Sequence, residues 1–138
     1  MATYQSEFHV STRGKGFSRI DPELRRIVRA SNITTGTCHA FVCHTSASLV
    51  IQENADPAVL RDLERWFADL APESRSWEHS DEGPDDMPAH ARTVLTRTSE
   101  TLPVTNGELV SGTWQGLFLW EHRAMPHRRR VVVTLLGE

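Results

Sequence analysis

Hydrophobic residues recur along this chain with two different periods. After Asp56-Pro57, apolar side chains return every three or four residues and predict an amphipathic helix; they are Val59, Leu60, Leu63, Phe67 and Leu70. Asp21-Pro22 predicts the start of another helix that fades by Asn32, and a third helix is predicted over residues 87–97. In each Asp-Pro pair we expect the carboxylate to cap the helix and the proline to occupy its first position.

The other apolar stretches are short, and they predict strands because their residues alternate or form brief buried runs. They cover residues 4–11, 37–44, 48–53, 101–105, 108–113, 116–123 and 129–136. Gly14 and Gly16 indicate a turn, Gly36 a break in the chain, and Asn106-Gly107 a type I′ hairpin. Three helices and six or seven strands in 138 residues, with a strand-rich last third, predict one α+β domain over residues 1–138 with a largely antiparallel sheet.

Composition narrows the classes of partner. A net charge of −3 gives no basic footprint, so we expect no nucleic-acid binding. No apolar run approaches the roughly 20 residues needed to span a bilayer, so we expect no membrane insertion. The first residues, MATYQSEFHV, lack the basic-then-apolar pattern of a signal peptide, and a cytoplasmic location is expected. Cys38 and Cys43 are the only cysteines and are expected to remain reduced.

Residues 78–90 combine a high density of carboxylates with two histidines. The stretch reads EHSDEGPDDMPAH and contains no Lys or Arg. This composition does not suit a buried core, because unpaired carboxylates are costly to bury. It is typical of a segment that holds a cation or handles protons. Its candidate residues are Glu78, Asp81, Glu82, Asp85, Asp86, His79 and His90.

His44, which ends a predicted strand, is a third candidate histidine beside His79 and His90. His90 falls in the first turns of the third predicted helix, where the positive end of the helix dipole disfavours a charged imidazole. A neutral imidazole is the form that binds a metal. Three neutral imidazoles with an open position form a common catalytic zinc arrangement. The spacing matches no short zinc motif, and for any single histidine an ordinary hydrogen-bonding role is the more frequent one.

The carboxylates of residues 78–90 have different candidate roles. Asp86 precedes His90 by four residues and shares a helical face with it, so Asp86 can orient the imidazole. Asp85 is open to a role as a helix cap. The Gly-Pro turn at residues 83–84 is expected to hold Glu82 and Asp85 in place.

Further candidates lie outside the acidic stretch. Glu53 has no evident capping task, unlike Asp56, and is therefore a functional candidate. Arg123 can bind a phosphate with two N–H groups, and alternation places His122 on the other face of the same strand. The two glycines of GTWQG at residues 112–116 indicate close approach of the backbone to a ligand, or a bulged strand.

Seven motifs stand in order along the chain: HTSASL at 44–49, ENADP at 53–57, EGPDDMPAH at 82–90, PV at 103–104, GTWQG at 112–116, EHR at 121–123 and VVVTL at 131–135. Together they resemble the YjbQ-like family over nearly the whole chain. One departure is Trp120, where family members often carry a cysteine. Chemistry that depends on a thiol at that position is therefore excluded here.

The resemblance implies a small α+β fold that assembles as a homotrimer around a histidine-lined metal pocket. Carried onto this chain, the metal ligands would be His44, His79 and His90. Residues near the pocket would be Glu53, Asp86, His122 and Arg123. Family members are often described as secondary thiamine-phosphate synthases, which join a pyrimidine diphosphate to a thiazole phosphate and release pyrophosphate.

Three functions are compatible with these features. The first is a metal-dependent enzyme acting on a phosphorylated small molecule. In it, zinc is bound by the histidines, Glu82 or Asp86 orients a ligand or acts as base, and Arg123 binds the phosphate. Magnesium is the alternative ion, although it prefers oxygen ligands. The second function is a zinc-dependent phosphoester hydrolase, and the third is a non-enzymatic trimer that binds a metabolite or a metal.

Overall fold

The chain alternates strands and helices and then ends in a run of strands. The structure, a computed structural model, describes residues 1–138 and contains the helices α1 (Asp21–Ser31), α2 (Pro57–Leu70) and α3 (Asp86–Leu95). Its strands are β1 (Ala2–Ser11), β2 (Gly16–Arg19), β3 (Thr35–Val42), β4 (Ala47–Glu53), β5 (Ser99–Thr105), β6 (Glu108–Leu109), β7 (Gln115–Glu121) and β8 (Arg128–Gly137). The predicted α+β class is confirmed. None of the three helices is long and apolar enough to cross a membrane.

The strands form two antiparallel sheets around a shared core. One sheet has the order β1-β8-β3-β5-β6 and the other the order β2-β7-β4. A single cluster of buried apolar side chains joins α1, for example Leu24 and Val28, to inward-facing residues of both sheets, for example Val133 and Leu119. Because α1 and one face of each sheet share this core, the two sheets are fixed relative to each other. Cys38 and Cys43 are free thiols, as expected.

The three helices begin in different ways. Asp56 accepts a hydrogen bond from the backbone N–H of Ala58 at 2.9 Å and caps α2, as predicted. The cap predicted at Asp21 is wrong, because Asp21 lies inside the first turn of α1 and its carboxylate pairs with Arg19. Asp85 precedes α3 but makes no side-chain capping bond. Its carboxylate is bound elsewhere, in the site described below.

Two glycine predictions are corrected by strand pairing. Gly16 was expected only in a turn, but it opens β2, which forms because the edge of β7 is available for pairing. Gly36 does not break the chain; it lies within β3 and pairs with Gly137 of β8. A Cβ atom on Gly36 would lie 2.0 Å from the carbonyl oxygen of Leu136. Glycine is therefore needed here for the close approach of two backbones.

The hairpin predicted at Asn106-Gly107 is present and joins β5 to β6. Both residues have positive φ values, 54° and 75°, as a type I′ turn requires. The strand predicted over residues 108–113 is shorter than expected, because β6 ends at Leu109 and the chain then turns. In that turn the side-chain oxygen of Gln115 accepts a hydrogen bond from the backbone N–H of Gly112 at 2.7 Å.

A second layer of side chains covers the face of β7 that points away from the core. The ring of Trp120 lies 4.4 Å from Phe17 of β2 and 4.7 Å from Phe67 of α2, centroid to centroid. Trp120 Nε1 donates to one oxygen of Glu64, and Arg92 of α3 donates to the other at 2.7 Å. Trp120 therefore has a structural role, and this network ties α2 and α3 to β7.

Candidate metal centre

The acidic stretch and α3 bring three potential metal ligands together. One ligand atom from each of His79, Asp86 and His90 lies within 4.8 Å of the other two. These three residues are called the metal group. Asp86 Oδ2 is 2.6 Å from His79 Nε2 and 3.3 Å from His90 Nε2. Asp86 occupies the first turn of α3 with its side chain only 2% exposed, and His90 lies one turn later. The predicted common face of Asp86 and His90 is confirmed.

Hydrogen bonding determines which nitrogen of His90 can bind a cation. His90 Nδ1 lies 3.0 Å from the carbonyl oxygen of Thr45. A carbonyl oxygen can only accept, so Nδ1 carries the proton, and Nε2 of a neutral His90 carries a lone pair. That lone pair faces the Asp86 carboxylate. A metal ion held between His90 Nε2 and Asp86 Oδ2 would be bound by both atoms.

Arg123, just beyond the end of β7, holds the acidic stretch in place. Its Nε donates to Asp85 Oδ2 at 2.9 Å, its Nη1 to Asp86 Oδ1 at 2.8 Å and its Nη2 to the backbone oxygen of Glu82 at 2.9 Å. Burial opposes the guanidinium charge, but the hydrogen bond to Asp85 and the two neighbouring carboxylates raise the pKa of Arg123. These contacts point to a positioning role, whereas the sequence predicted that Arg123 binds a phosphate.

The carboxylates on this arginine are kept ionised. Burial opposes their charge, but in Asp85 the hydrogen bonds from the Ala124 N–H and from Arg123 lower the pKa. Burial also opposes the charge of Asp86, but the hydrogen bond from His79 and the charge of Arg123 lower the pKa of Asp86. Asp86 thus offers an ionised oxygen, Oδ2, to the two histidines. Asp85 is engaged by the Ala124 N–H at 2.8 Å, which explains why it does not cap α3.

His44 lies outside this group of three and carries a different tautomer. Its Nδ1 lies 3.1 Å from the Ser46 N–H and 2.9 Å from Ser46 Oγ, which itself accepts from Arg129 Nη2. Because the backbone N–H donates to Nδ1, the proton of a neutral His44 is on Nε2. Burial and the charge of Arg129 lower the pKa of His44, so this imidazole is neutral. His44 contributes no atom to the group formed by His79, Asp86 and His90.

His122 is fully buried. Thr96 Oγ1 donates to the Arg92 carbonyl oxygen and lies 2.5 Å from Ser48 Oγ, which is 2.7 Å from His122 Nε2. Because the Thr96 hydroxyl proton is used in this way, Thr96 Oγ1 accepts from Ser48 Oγ, and Ser48 Oγ accepts from His122 Nε2. His122 therefore has a lone pair on Nδ1, which has no partner. Burial, with the charge of Arg92, lowers the pKa of His122 to about 3. His122 is therefore neutral and does not line the surface of the site.

Two further predicted carboxylates, Glu53 and Glu82, lie in different places. Glu53 is at the end of β4 that pairs with Gln115, whereas His44 precedes the opposite end of the strand. Six residues of strand correspond to roughly 20 Å, so the structure does not bring Glu53 to the metal group. Glu53 also has a structural task that the sequence concealed, because it accepts the Asp56 N–H at 3.1 Å. Glu82 is exposed on the acidic stretch and is held only through its backbone oxygen.

A cavity of about 520 Å³ opens beside the metal group, lined by Trp77, Glu78, His79, Asp81 and Met87. Trp77 is fixed because its Nε1 donates to the Pro72 carbonyl oxygen at 3.0 Å and because Arg75 lies over its ring, 5.2 Å from the centroid. Neither Trp77 nor Met87 was predicted to belong to a site. Their apolar character, next to and within the acidic stretch, is the signal that could have identified them as a cavity wall.

Comparison with known proteins supports one family. The family model described as "UPF0047 protein YjbQ-like" matches residues 6–138. The chain is 53% identical over 136 residues to a UPF0047 protein from Synechocystis, covering 98% of this chain and 92% of that protein. It is 40% identical over 136 residues to the UPF0047 protein YjbQ of Escherichia coli O157:H7, covering 98% and 99% of the two chains.

Solved structures agree with this result. A crystal structure described as a YbjQ-like protein of unknown function from Sulfolobus solfataricus superposes with a TM-score of 0.91 at 30% identity, covering 99% of both chains. A YjbQ/UPF0047 family protein from Clostridium acetobutylicum superposes with a TM-score of 0.88 at 31% identity, covering 95% of this chain and 99% of that one. Sequence and fold lead to the same conclusion: the chain belongs to the UPF0047, YjbQ-like family.

Proposed function

We propose that this protein is a metal-dependent enzyme acting on a phosphorylated small molecule, with the metal bound by His79, Asp86 and His90. The observation that carries the proposal is the pairing of His90 Nε2 with Asp86 Oδ2 at 3.3 Å, while His90 Nδ1 is committed to the Thr45 carbonyl oxygen. A histidine held this way by a backbone carbonyl presents its other nitrogen to a metal, which is the usual arrangement around zinc-binding histidines.

The donor set favours zinc. Two imidazole nitrogens and one carboxylate oxygen are common zinc ligands, and three protein ligands leave a position for substrate. Magnesium prefers oxygen ligands and is therefore the poorer fit. A bound zinc ion would supply Lewis-acid polarisation of a phosphoryl oxygen. In our proposal His44 is not a fourth metal ligand. It is a neutral imidazole that donates a hydrogen bond through Nε2.

Residues around the metal group have separate tasks in this proposal. Arg123 positions Asp86 and the acidic stretch through its three hydrogen bonds. Glu82, which is exposed and makes no side-chain ion pair, is the candidate base. The neighbouring cavity would receive the organic part of the substrate, since Trp77 and Met87 supply apolar surface and Glu78 and Asp81 accept hydrogen bonds from N–H groups.

The specific reaction proposed is weak thiamine-phosphate synthesis. The family resemblance supports it, and so does the cavity, because an amino-substituted heteroaromatic ring matches its apolar and carboxylate lining. The products are thiamine phosphate and pyrophosphate. Hydrolysis of phosphoesters and metal binding without catalysis are the other outcomes that the experiment below distinguishes.

The test combines elemental analysis with a pyrophosphate-release assay on wild type, His90→Ala and the control His9→Ala. His9 is an exposed histidine of β1 with no side-chain hydrogen bond. We expect stoichiometric zinc in wild type and His9→Ala and loss of both metal and activity in His90→Ala. Absence of stoichiometric metal from wild type rules out the metal centre. Metal without any turnover above the His90→Ala background, for thiamine phosphate formation or phosphoester hydrolysis, supports a binding protein instead.

We also propose that the protein assembles as a homotrimer. Besides the family resemblance, the support is the uncovered face of the five-stranded sheet, where Phe41 is 42% exposed and Leu136 is 47% exposed. Apolar side chains on an open sheet face are typical of a surface that a partner covers. Light scattering after gel filtration should give about three times the chain mass of 15.6 kDa, and a mass of one chain would refute this assembly.

A further inference from the structure

The geometry points to a second ligand site, which takes a planar, apolar organic anion such as an aromatic phosphate ester. The site is a cavity of about 450 Å³ between β2 and α2, lined by Lys15, Gly16, Phe17, Pro57, Leu60, Arg61, Glu64 and Arg65. None of these residues lines the cavity beside the metal group. The inference goes beyond the proposed function, because it concerns another surface and does not require a metal.

The lining of this cavity is strongly cationic. Lys15, Arg61 and Arg65 supply three positive charges, and Glu64 is the one acidic residue. Both carboxylate oxygens of Glu64 are already engaged, by Trp120 Nε1 at 3.1 Å and by Arg92 Nη1 at 2.7 Å. The Arg92 side chain is 2% exposed, so its charge offsets that of Glu64 beneath the cavity. Glu64 therefore does not cancel the positive charge of the lining.

Of these cations Arg61 is free to bind a ligand, whereas Lys15 and Arg65 are paired with carboxylates outside the cavity. Arg61 has no ion-pair or side-chain hydrogen-bond partner in the structure, and Lys15 pairs only with Glu73. Arg65 pairs with Asp62, and both side chains are more than two-thirds exposed, at 74% and 71%. Solvent-exposed ion pairs contribute little, so they can be exchanged for contacts with a phosphate, which binds more strongly through charge-assisted hydrogen bonds.

The apolar part of the lining selects a flat ligand. Phe17 is held rigidly, because its ring stacks on Trp120 with 4.4 Å between centroids and 25° between planes. Pro57 and Leu60 supply the facing aliphatic surface from the first turns of α2. An aromatic floor with a cationic rim fits a planar body carrying a phosphate.

The probe for the test is 4-methylumbelliferyl phosphate, with its neutral parent 4-methylumbelliferone as a control ligand, titrated calorimetrically into the full chain. We expect Arg61→Gln to weaken phosphate-ester binding at least about fivefold, the loss typical of one charge-assisted hydrogen bond, and Lys15→Gln to weaken it further in the double variant. The matched control is Arg26→Gln, which removes a charge from an exposed arginine of α1 outside the cavity. Its affinity should equal that of wild type.

Two results would overturn the second site. One is equal affinity of wild type and Arg61→Gln, and the other is equal affinity of the phosphate ester and the neutral parent. A third arm separates this inference from the metal centre. His90→Ala should bind the probe as wild type does, and Arg61→Gln should retain the metal. Loss of probe binding in His90→Ala would assign the probe to the metal group and refute the second site, leaving the proposed metal centre intact.

Discussion

Replacing Arg123 with methionine tests how the acidic stretch is held against β7. The substitution keeps the aliphatic bulk and removes three hydrogen bonds, to Asp85, Asp86 and the Glu82 backbone oxygen. Removing one partner of a buried ion pair costs roughly 3–5 kcal/mol. Asp86 keeps its hydrogen bond to His79, and Asp85 keeps that from the Ala124 N–H, so we expect the lower end of this range, about 3 kcal/mol at neutral pH.

The pH dependence of this loss identifies its electrostatic origin. Burial works against the charges of Asp85 and Asp86, but hydrogen bonds and Arg123 lower their pKa values below the ordinary 3.8. Groups with lowered folded-state pKa values contribute stability that is present above the unfolded-state pKa and is lost as pH falls through the folded-state value. Without Arg123 that contribution is reduced. The difference in stability between wild type and Arg123→Met should therefore be largest near neutral pH and shrink below a pH of about 3.8.

The assay is urea unfolding followed by tryptophan fluorescence, at neutral pH and at several points down to about pH 2, which passes below the ordinary carboxylate pKa. Arg130→Met is the control, because Arg130 pairs with Glu7 on the exposed surface, where ion pairs contribute little. A loss of stability for Arg123→Met that is equal to that of the control, or that does not change with pH, would refute this account of the loop.

Three other outcomes follow from single contacts. Gly36→Ala should lower the midpoint of thermal unfolding severely, because the added Cβ would lie 2.0 Å from the Leu136 carbonyl oxygen; an unchanged midpoint would contradict the close approach of β3 and β8. Asp56→Ala should cost about 1 kcal/mol in urea unfolding, the usual value of a helix cap, while Asp56→Asn should recover most of it. Nitrogen-15 NMR should show His44 with its proton on Nε2, because the Ser46 N–H donates to Nδ1. Ser46→Ala keeps this N–H and should keep the tautomer; loss of the preference would show that the Ser46 hydroxyl selects it instead.

Local signals in the sequence were reliable where the physical cause is local. Asn106-Gly107 forms the predicted hairpin because positive φ angles at both positions depend on these two residues. Asp56-Pro57 starts α2 because the cap and the fixed proline φ act within one turn. Asp86 and His90 share a face because of helical spacing alone. Strand β2 was missed because four residues with little pattern become a strand only by pairing with β7.

The sequence by itself determined the fold class, the family and the segment that carries the candidate metal ligands, because periodicity, turn chemistry and motif order are properties of the chain. The tertiary structure decided which candidates meet. His90 carries its proton on Nδ1 because of the Thr45 carbonyl oxygen, 45 residues earlier, and His44 receives the opposite tautomer from Ser46. Hydrogen-bond partners and burial set proton positions and charge, and both depend on contacts between distant segments. The path of the folded chain also places Glu53 and His122 away from the metal group. Likewise, the cavity wall at Trp77 and the cavity around Arg61 exist only in the folded chain.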